Sequence, residues 1–557
     1  MKAADLDNPL YYLENFDTLI GWVRSRHADL LLPEERKKLD SLDSLSQPAR
    51  ALLARMVMRS GEHFRVDRLN YPELGAPVTC AAKELTTARW LQQNPPLSVD
   101  ELFRLITLPE LREALAPLLE QAGIPRNANK SAMRTALIPI VPDPQPPDAW
   151  GLSRATEVLR LLDMALFDRV RLMFFGNLRQ TWSDFVLVEL GHQRYEPVAF
   201  SPESRAFDER ADVDCYLRMQ HCRERLDAGE HPSDVWPDIP SNSDNPWLES
   251  RRSRLLFEFG KLAERANVHE LALQAYDASG HREARLRYLR LLERQKAYQK
   301  AWQVAQQAIT TATVRPGEAR GLERIIKRLA AKLHEPLVSP PARPSVPAFS
   351  LRLSPMPGQS VEWAVSEALQ DPHSPVAYVE NTLINGLFGL LCWEALFAPV
   401  PGAFFHPFHI GPVDLYREDF VTRRADLFSD CLGLLDSGAY QTRILTTWQQ
   451  KQGIACSFLV WPVLSRDLID LALACIPAAH LKQMFQRLLL NLREHRSGLP
   501  DLIRFDPGND DPGQRYEMIE VKGPGDRLQD HQQQWLEFCV ARNIPVSVCY
   551  VRWAPTS

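Results

Sequence analysis

The sequence predicts a multidomain chain in which a mostly α-helical N-terminal region precedes a C-terminal α/β domain. Three observations carry this. The chain has 557 residues, too many for one core; at ~150 residues per domain, about three to four domains are expected. As far as about residue 335, apolar residues recur mainly at helical spacing. Near the C-terminus two short apolar runs flank an acidic turn that contains glycine and proline, which is the pattern of a β-hairpin.

Bulk properties narrow the function classes. Hydrophobic content of 45% and charged content of 24% are those of an ordinary globular protein. A net charge of -5 at pH 7 excludes nucleic-acid binding through overall positive charge, so any phosphate binding needs a local patch. No run of ~18 apolar residues occurs, so no membrane span is expected. The opening stretch Met1 to Asp7 turns acidic early and lacks an apolar segment, so no signal peptide is expected. The nine cysteines are scattered without a C-x-x-C pair. They read as free thiols of a reducing cytoplasm rather than a disulfide frame or a zinc site.

Residues 1–95 read as a helical N-terminal domain. Apolar positions run through Leu10, Leu13, Phe16, Ile20 and Val23, and again through Leu52, Leu53 and Met56. Pro95 and Pro96 close it, because proline cannot continue a helix interior. Residues 96–147 read as a compact module of two short amphipathic helices with a turn between them, followed by a proline-rich connector. Residues 148–335 read as helical again. Lys261–Arg265 aligns with Arg290–Arg294, and Ala272 and Gln274 align with Ala301 and Gln303, all 29 residues apart. Small residues at fixed places on paired helices predict hairpin repeats resembling tetratricopeptide repeats. Residues 336–358 contain a run of prolines and read as a linker or extended strap. Residues 359–557 form the last domain, opened by a helix around Val361–Val365.

The chemistry concentrates in that domain. Gly498-Leu499-Pro500-Asp501-Leu502-Ile503 is followed, after the turn Asp506 to Gly513, by Tyr516 to Pro524 with Glu520-Val521-Lys522 at its centre. Strand alternation puts Glu520 and Lys522 on one face, and Asp501 at the head of the neighbouring strand reaches the same point. Two converging carboxylates are hard oxygen ligands suited to Mg²⁺ or Mn²⁺, and side by side they repel without a cation. Such a metal polarises a phosphate and acidifies water, and a lysine ammonium there orients the attacking water and offsets charge developing on phosphorus. The bland alternative is an exposed hairpin with ordinary surface charges. It is disfavoured because both acidic positions lie in apolar runs and an amphipathic helix, Leu528 to Phe538, follows directly.

These residues resemble the virus-type replication-repair nuclease domain, a PD-(D/E)xK restriction-endonuclease-like fold, and more narrowly the Fanconi-associated structure-specific nuclease family. The resemblance extends through Glu520 to Leu528, Gln532, Trp535 and Leu536, and upstream through Tyr378 to Thr382, Phe388 to Glu394, Val413 to Leu415 and Phe420 to Arg424. The module at 96–147 is similar to the family's SAP DNA-binding module, with Asn129 where glycine is typical. The resemblance implies that Glu380, Asp501 and Glu520 are side-chain metal ligands, that the Val521 carbonyl is a further ligand, that Lys522 is the catalytic lysine, and that two Mg²⁺ or Mn²⁺ ions bind. By itself Glu380 reads as a glutamate at a helix N-terminus. Gln532 either positions nucleophile or phosphate, or is a solvated helix residue. The implied activity is cleavage of branched DNA, notably 5′ flaps, with 5′-to-3′ exonuclease action in interstrand crosslink repair. Cys/His spacing for a ubiquitin-binding zinc finger is absent from the sequence, which fits a bacterial-type, nucleoid-associated cytoplasmic member.

Other charges are expected to serve DNA or the fold. Arg126, Lys130 and Arg134 recur every four residues and, if helical, form a basic edge for phosphates; the alternative is a solvated face. Arg423 and Arg424 either hold phosphates or pair with Asp426 and Glu418. Arg282, Arg285, Arg287 and Arg290 read as a solvated stripe, with DNA support as the alternative. His406 and His409 read as packed or exposed, not as metal ligands. Two rival functions share the sequence: a junction resolvase or restriction-like endonuclease with the same chemistry, and a repeat-based adaptor with a degenerate nuclease domain.

Overall fold

The computed structural model describes residues 8–59, 61–125, 127–153, 156–182, 194–310, 314, 316–336, 343–354 and 358–554. The chain divides into two compact units, Met1–Gln193 with Arg205–Val213, and Arg194–Ser204 with Asp214–Ser557. No single helix among the described residues is long and apolar enough to cross a membrane.

The first unit opens with helices α1 (Tyr11–Arg26), α2 (Gln47–Val57) and α3 (Val78–Thr87). The predicted apolar face of α1 is buried at Leu13, Phe16, Ile20 and Val23. Ser46 starts α2 by accepting from the Ala49 N–H, which satisfies a donor that no helical carbonyl reaches. The unit also holds a three-stranded antiparallel sheet that the sequence reading missed. Strands β1 (His63–Arg65), β2 (Leu91–Gln93) and β3 (Val158–Leu161) lie in the order β1-β3-β2. β3 corrects the expectation that the chain is helical from 148. Its four residues are too few to display alternation, and its partners lie far earlier in the sequence.

The module after Pro96 contains four short helices rather than two: α4 (Val99–Leu105), α5 (Leu108–Ala114), α6 (Ala116–Gln121) and α7 (Lys130–Leu137). Pro109 and Pro117 sit in first turns, where a missing N–H costs nothing, so these prolines start helices that a breaker rule would delete. The module encloses its own core of Leu97, Leu102, Phe103, Leu111, Leu115, Met133, Leu137 and Trp150. Asn129, at the position where glycine was expected, caps α7 by accepting from the Ala132 N–H at 2.8 Å. The unit continues with α8 (Met164–Phe175), nearly all of whose apolar side chains are buried.

The second unit carries the repeats as α9 (Pro246–Arg265), α10 (His269–Asp277), α11 (Ala284–Arg294), α12 (Tyr298–Thr310) and α13 (Pro316–Leu333). The 29-residue offset is physical. Ala272 and Ala301 are both fully buried, and the turns before α10 and α12 place Asn267 and Lys296 at φ 61° and 60°.

The nuclease-like domain is built on a five-stranded sheet in the order β4-β8-β7-β6-β5. Its strands are β4 (Ala348–Leu353), β5 (Val376–Tyr378), β6 (Leu502–Phe505), β7 (Tyr516–Lys522) and β8 (Val546–Trp553). β4, β8 and β7 run parallel, and β6 is antiparallel to both its neighbours. β4 corrects the reading of 336–358 as a linker: Phe349, Leu351 and Leu353 alternate onto one face and the strand covers the edge of β8. Helix α14 (Val361–Leu369) packs Val361, Val365 and Leu369 on that face with Leu502, Ile519 and Val521. The opposite face holds Ile503 and Met518 in a larger core with α15 (Leu383–Leu391) and α16 (Asp530–Ala541), through Leu387, Trp535 and Leu536.

Candidate active site

Strand parity sets the site. Ile503 and Met518 face the α15 and α16 side, so Asp501, Glu520 and Lys522, each an even number of residues away, tend to the same side. β6 and β7 pair at Leu502 and Ile519, which brings Asp501 to the C-terminal end of β7. There Asp501 Oδ2 accepts from the Val521 N–H at 2.8 Å. Lys522 Nζ lies 2.6 Å from Glu520 Oε1. The structure therefore brings together the three residues found by local spacing.

Glu380 arrives by a different route. β5 pairs with β6 at Tyr378 and Leu502, and the Val379 N–H donates to the Asp501 carbonyl at 2.8 Å. The next residue, Glu380, therefore emerges beside Asp501. It precedes α15 by a turn in which Asn381 adopts φ 51°. Asn381 Oδ1 accepts from the Leu499 N–H at 3.1 Å, and Asn385 Nδ2 donates to the Arg496 carbonyl at 2.8 Å. These two amides hold the Gly498-Leu499-Pro500 approach against α15. Gly498 is required there: its φ is 87°, and a Cβ would sit 2.8 Å from the His531 backbone.

Electrostatics mark the cluster. Burial, followed by the Asp501 charge, pushes the Glu520 carboxyl up to about 7. Burial pushes Asp501 up to about 6, against the Val521 N–H and Lys522, which favour its anion. Glu380 raises both. Glu362, in the first turn of α14, adds a further carboxylate near Asp501. Sequence reasoning missed it; its only signal was a glutamate following the Ser360 cap. Tyr378, also missed, donates its hydroxyl to Glu380 Oε2 at 2.5 Å.

The donor set fits a hard divalent cation. Glu520 has no exposure and its Oε2 meets no donor, so a buried anionic acceptor is left uncompensated on one side. The ligand set is not closed: among the described residues no three His, Cys, Asp or Glu side chains form a ready cage, and Glu380 is held by Tyr378. Gln532 Oε1 accepts from the Gln529 N–H at 2.9 Å, so this glutamine caps α16.

The remaining candidates separate clearly. Arg126 lies outside the described residues. Lys130 donates to the Ile106 carbonyl at 2.8 Å, inside its own module. Arg134 pairs with Asp100 at 2.6 Å while staying 47% exposed. Lys130 and Arg134, the two described members of the expected basic edge, thus each already hold a partner within the protein. Arg423 and Arg424 both bind Asp414, not Asp426 or Glu418, and Arg424 and Asp414 are fully buried. His406 and His409 stack with ring centroids 3.8 Å apart, and burial lowers His409 to about 3, which leaves it neutral to accept from the Phe405 N–H.

Residues 10–92 match the helix-turn-helix domain family of Fanconi-associated nuclease 1. Residues 96–150 match the Fanconi anemia-associated nuclease SAP domain, and residues 435–553 match the VRR-NUC domain. A Fanconi-associated nuclease 1 homolog of Pseudomonas aeruginosa is 45% identical over 99% of this chain and 98% of its own length. The human Fanconi-associated nuclease 1 is 22% identical over 97% of this chain, which spans 62% of that longer protein. Crystal structures of paFAN1 bound to 2-nt and 1-nt 5′ flap DNA with a gap superpose with TM-scores of 0.93 and 0.91 at 44% identity. They cover 100% and 98% of this chain and 100% of the solved chains.

Proposed function

This chain belongs to the Fanconi-associated nuclease 1 family, a structure-specific nuclease family, and from that premise we propose that it hydrolyses phosphodiesters of 5′-flapped DNA with two Mg²⁺ or Mn²⁺ ions. The observation that carries the reading is Glu520, a fully buried carboxylate with an oxygen that meets no donor, set between Asp501 and Lys522. Glu380, Asp501 and Glu520 would hold the ions with the Val521 carbonyl. Bound there, the cations supply charge neutralisation of the scissile phosphate and a lowered pKa for water.

The chain's own residues do the rest. The Val521 N–H fixes the Asp501 carboxylate, so its orientation is set before substrate arrives. Tyr378 restrains Glu380 through Oε2 and would orient that carboxylate toward the ions. Lys522 places a positive charge beside Glu520; its ammonium orients the attacking water and stabilises the charge that grows on the phosphate oxygens. In the SAP module, Arg134 is exposed enough to meet a phosphate.

The solved paFAN1 complexes support the flap assignment. Flap cleavage with 5′-to-3′ exonuclease action suits repair of interstrand crosslinks. The test is a panel of 5′-flap, nicked, linear and four-way DNAs with Mg²⁺ or Mn²⁺. Preferred cutting of the flap is expected; equal cutting of linear duplex, or preference for the four-way junction, would overturn it.

A further inference from the structure

The repeats carry a basic recess of about 430 Å³ lined by Glu264, Arg287, Arg290, Glu293, Arg294 and Arg328. Its two acids are already spoken for. Glu264 pairs with Arg294 and accepts from the Tyr276 hydroxyl at 2.5 Å. Glu293 takes Arg328 through two contacts, 3.0 and 2.6 Å. Among the described residues, no carboxylate lies within ion-pairing distance of Arg287 or Arg290. These two stand three residues apart on α11, one half-buried and one exposed, and so are neighbours on one helix face. The recess thus keeps a surplus of two guanidiniums, held in place by a frame of neutralised pairs.

Its position ties it to the nuclease site. Along α13, Arg320 binds Glu537 and Arg324 binds Asp530, both on α16. Arg328 stands one turn farther on, a rise of about 6 Å, and reaches into the recess. α16 begins just after the strand that carries Glu520 and Lys522. A stiff polyanion held in the recess would therefore lie toward the α13 face that binds the first turn of α16.

We infer that the Arg287 and Arg290 recess grips backbone phosphates of a duplex DNA arm and so steadies the substrate for the site proposed above, on which the inference rests. Guanidiniums bind phosphate oxygens in a fork without reading sequence. A duplex is favoured over a single strand because no aromatic side chain lines the recess, and single-strand grooves rely on aromatic stacking.

The test is equilibrium binding of the full chain in EDTA, so that cleavage plays no part, to a blunt labelled duplex and to a labelled single strand across a salt series. For Arg287→Ala/Arg290→Ala, duplex binding should weaken about tenfold, and the slope of log K against log salt should become shallower by about 1.8, or ~0.9 per lost phosphate contact. Arg287→Lys/Arg290→Lys should keep the wild-type slope. Circular dichroism melts check folding; if the double alanine variant does not fold, Arg290→Ala alone should lower the slope by about half as much. Unchanged duplex affinity and slope, or an effect confined to the single strand, would overturn the recess while leaving the nuclease reading intact. A wild-type chain that binds no duplex would also overturn the recess, while the nuclease reading fails only if the 5′-flap DNA is not cut with Mg²⁺ or Mn²⁺.

Discussion

A carboxylate with no exposure is stable as an anion only beside a compensating cation, and Glu520 has Lys522 on one side alone. Its carboxyl and that of Asp501 rise to about 7 and about 6, above the ~4 of an unfolded chain. The metal-free folded protein therefore holds protons that the unfolded chain has released. Its stability should fall as pH rises from about 4 to about 7. Melting temperatures of metal-free protein across that window should decline, Glu520→Gln should flatten the decline, and added Mn²⁺ should raise the melting temperature most at the upper end by binding the ionised site. A wild-type profile as flat as that of Glu520→Gln would count against the buried cluster. At this scale the Asp501, Glu520 and Lys522 set was legible in the sequence, because strand parity is a local rule. Glu380 was not legible from spacing, since only the β5 and β6 pairing joins it to Asp501. Nor was the inward turn of Lys130, whose partner Ile106 lies 24 residues earlier, just past the end of α4.

Elements place these groups through close approaches that substitutions should expose. At Gly498 a methyl group would meet the His531 backbone at 2.8 Å in a left-handed conformation. Gly498→Ala should cost about 1–3 kcal/mol in urea denaturation and reduce cleavage, because the same loop carries Asp501. The Arg424 and Asp414 pair is buried on both sides and also binds Arg423. Asp414→Ala leaves a buried guanidinium unpaired and should cost about 3–5 kcal/mol; a loss under ~1 kcal/mol would mean water reaches the pair. The helical elements were readable from 3.6-residue periodicity and the hairpin from its turn. β3 and β4 were hidden, one because four residues show no period, the other because prolines around it imitate a linker.

At the scale of the molecule, chemistry and selectivity belong to different parts. The α/β domain supplies a phosphodiesterase site that would act on any accessible backbone. On the reading proposed above, selectivity would come from the helical repeats and the SAP module, which would each hold a duplex arm. The repeat offset was legible in the sequence, whereas the SAP module and the branched-DNA reading came from the family resemblance and not from spacing. The surplus charge of Arg287 and Arg290 was not legible, because it depends on which acids α9, α11 and α13 bring to their neighbours. The central claim is a metal-dependent site at Glu520 and Lys522, and single-turnover cleavage of a labelled 5′-flap duplex tests it most directly. Wild type should cut with Mg²⁺ or Mn²⁺ and not in EDTA, while Lys522→Ala and Glu520→Gln bind the flap yet cut at least about 10³-fold more slowly. Cutting in EDTA, or either variant cutting at the wild-type rate, would contradict it.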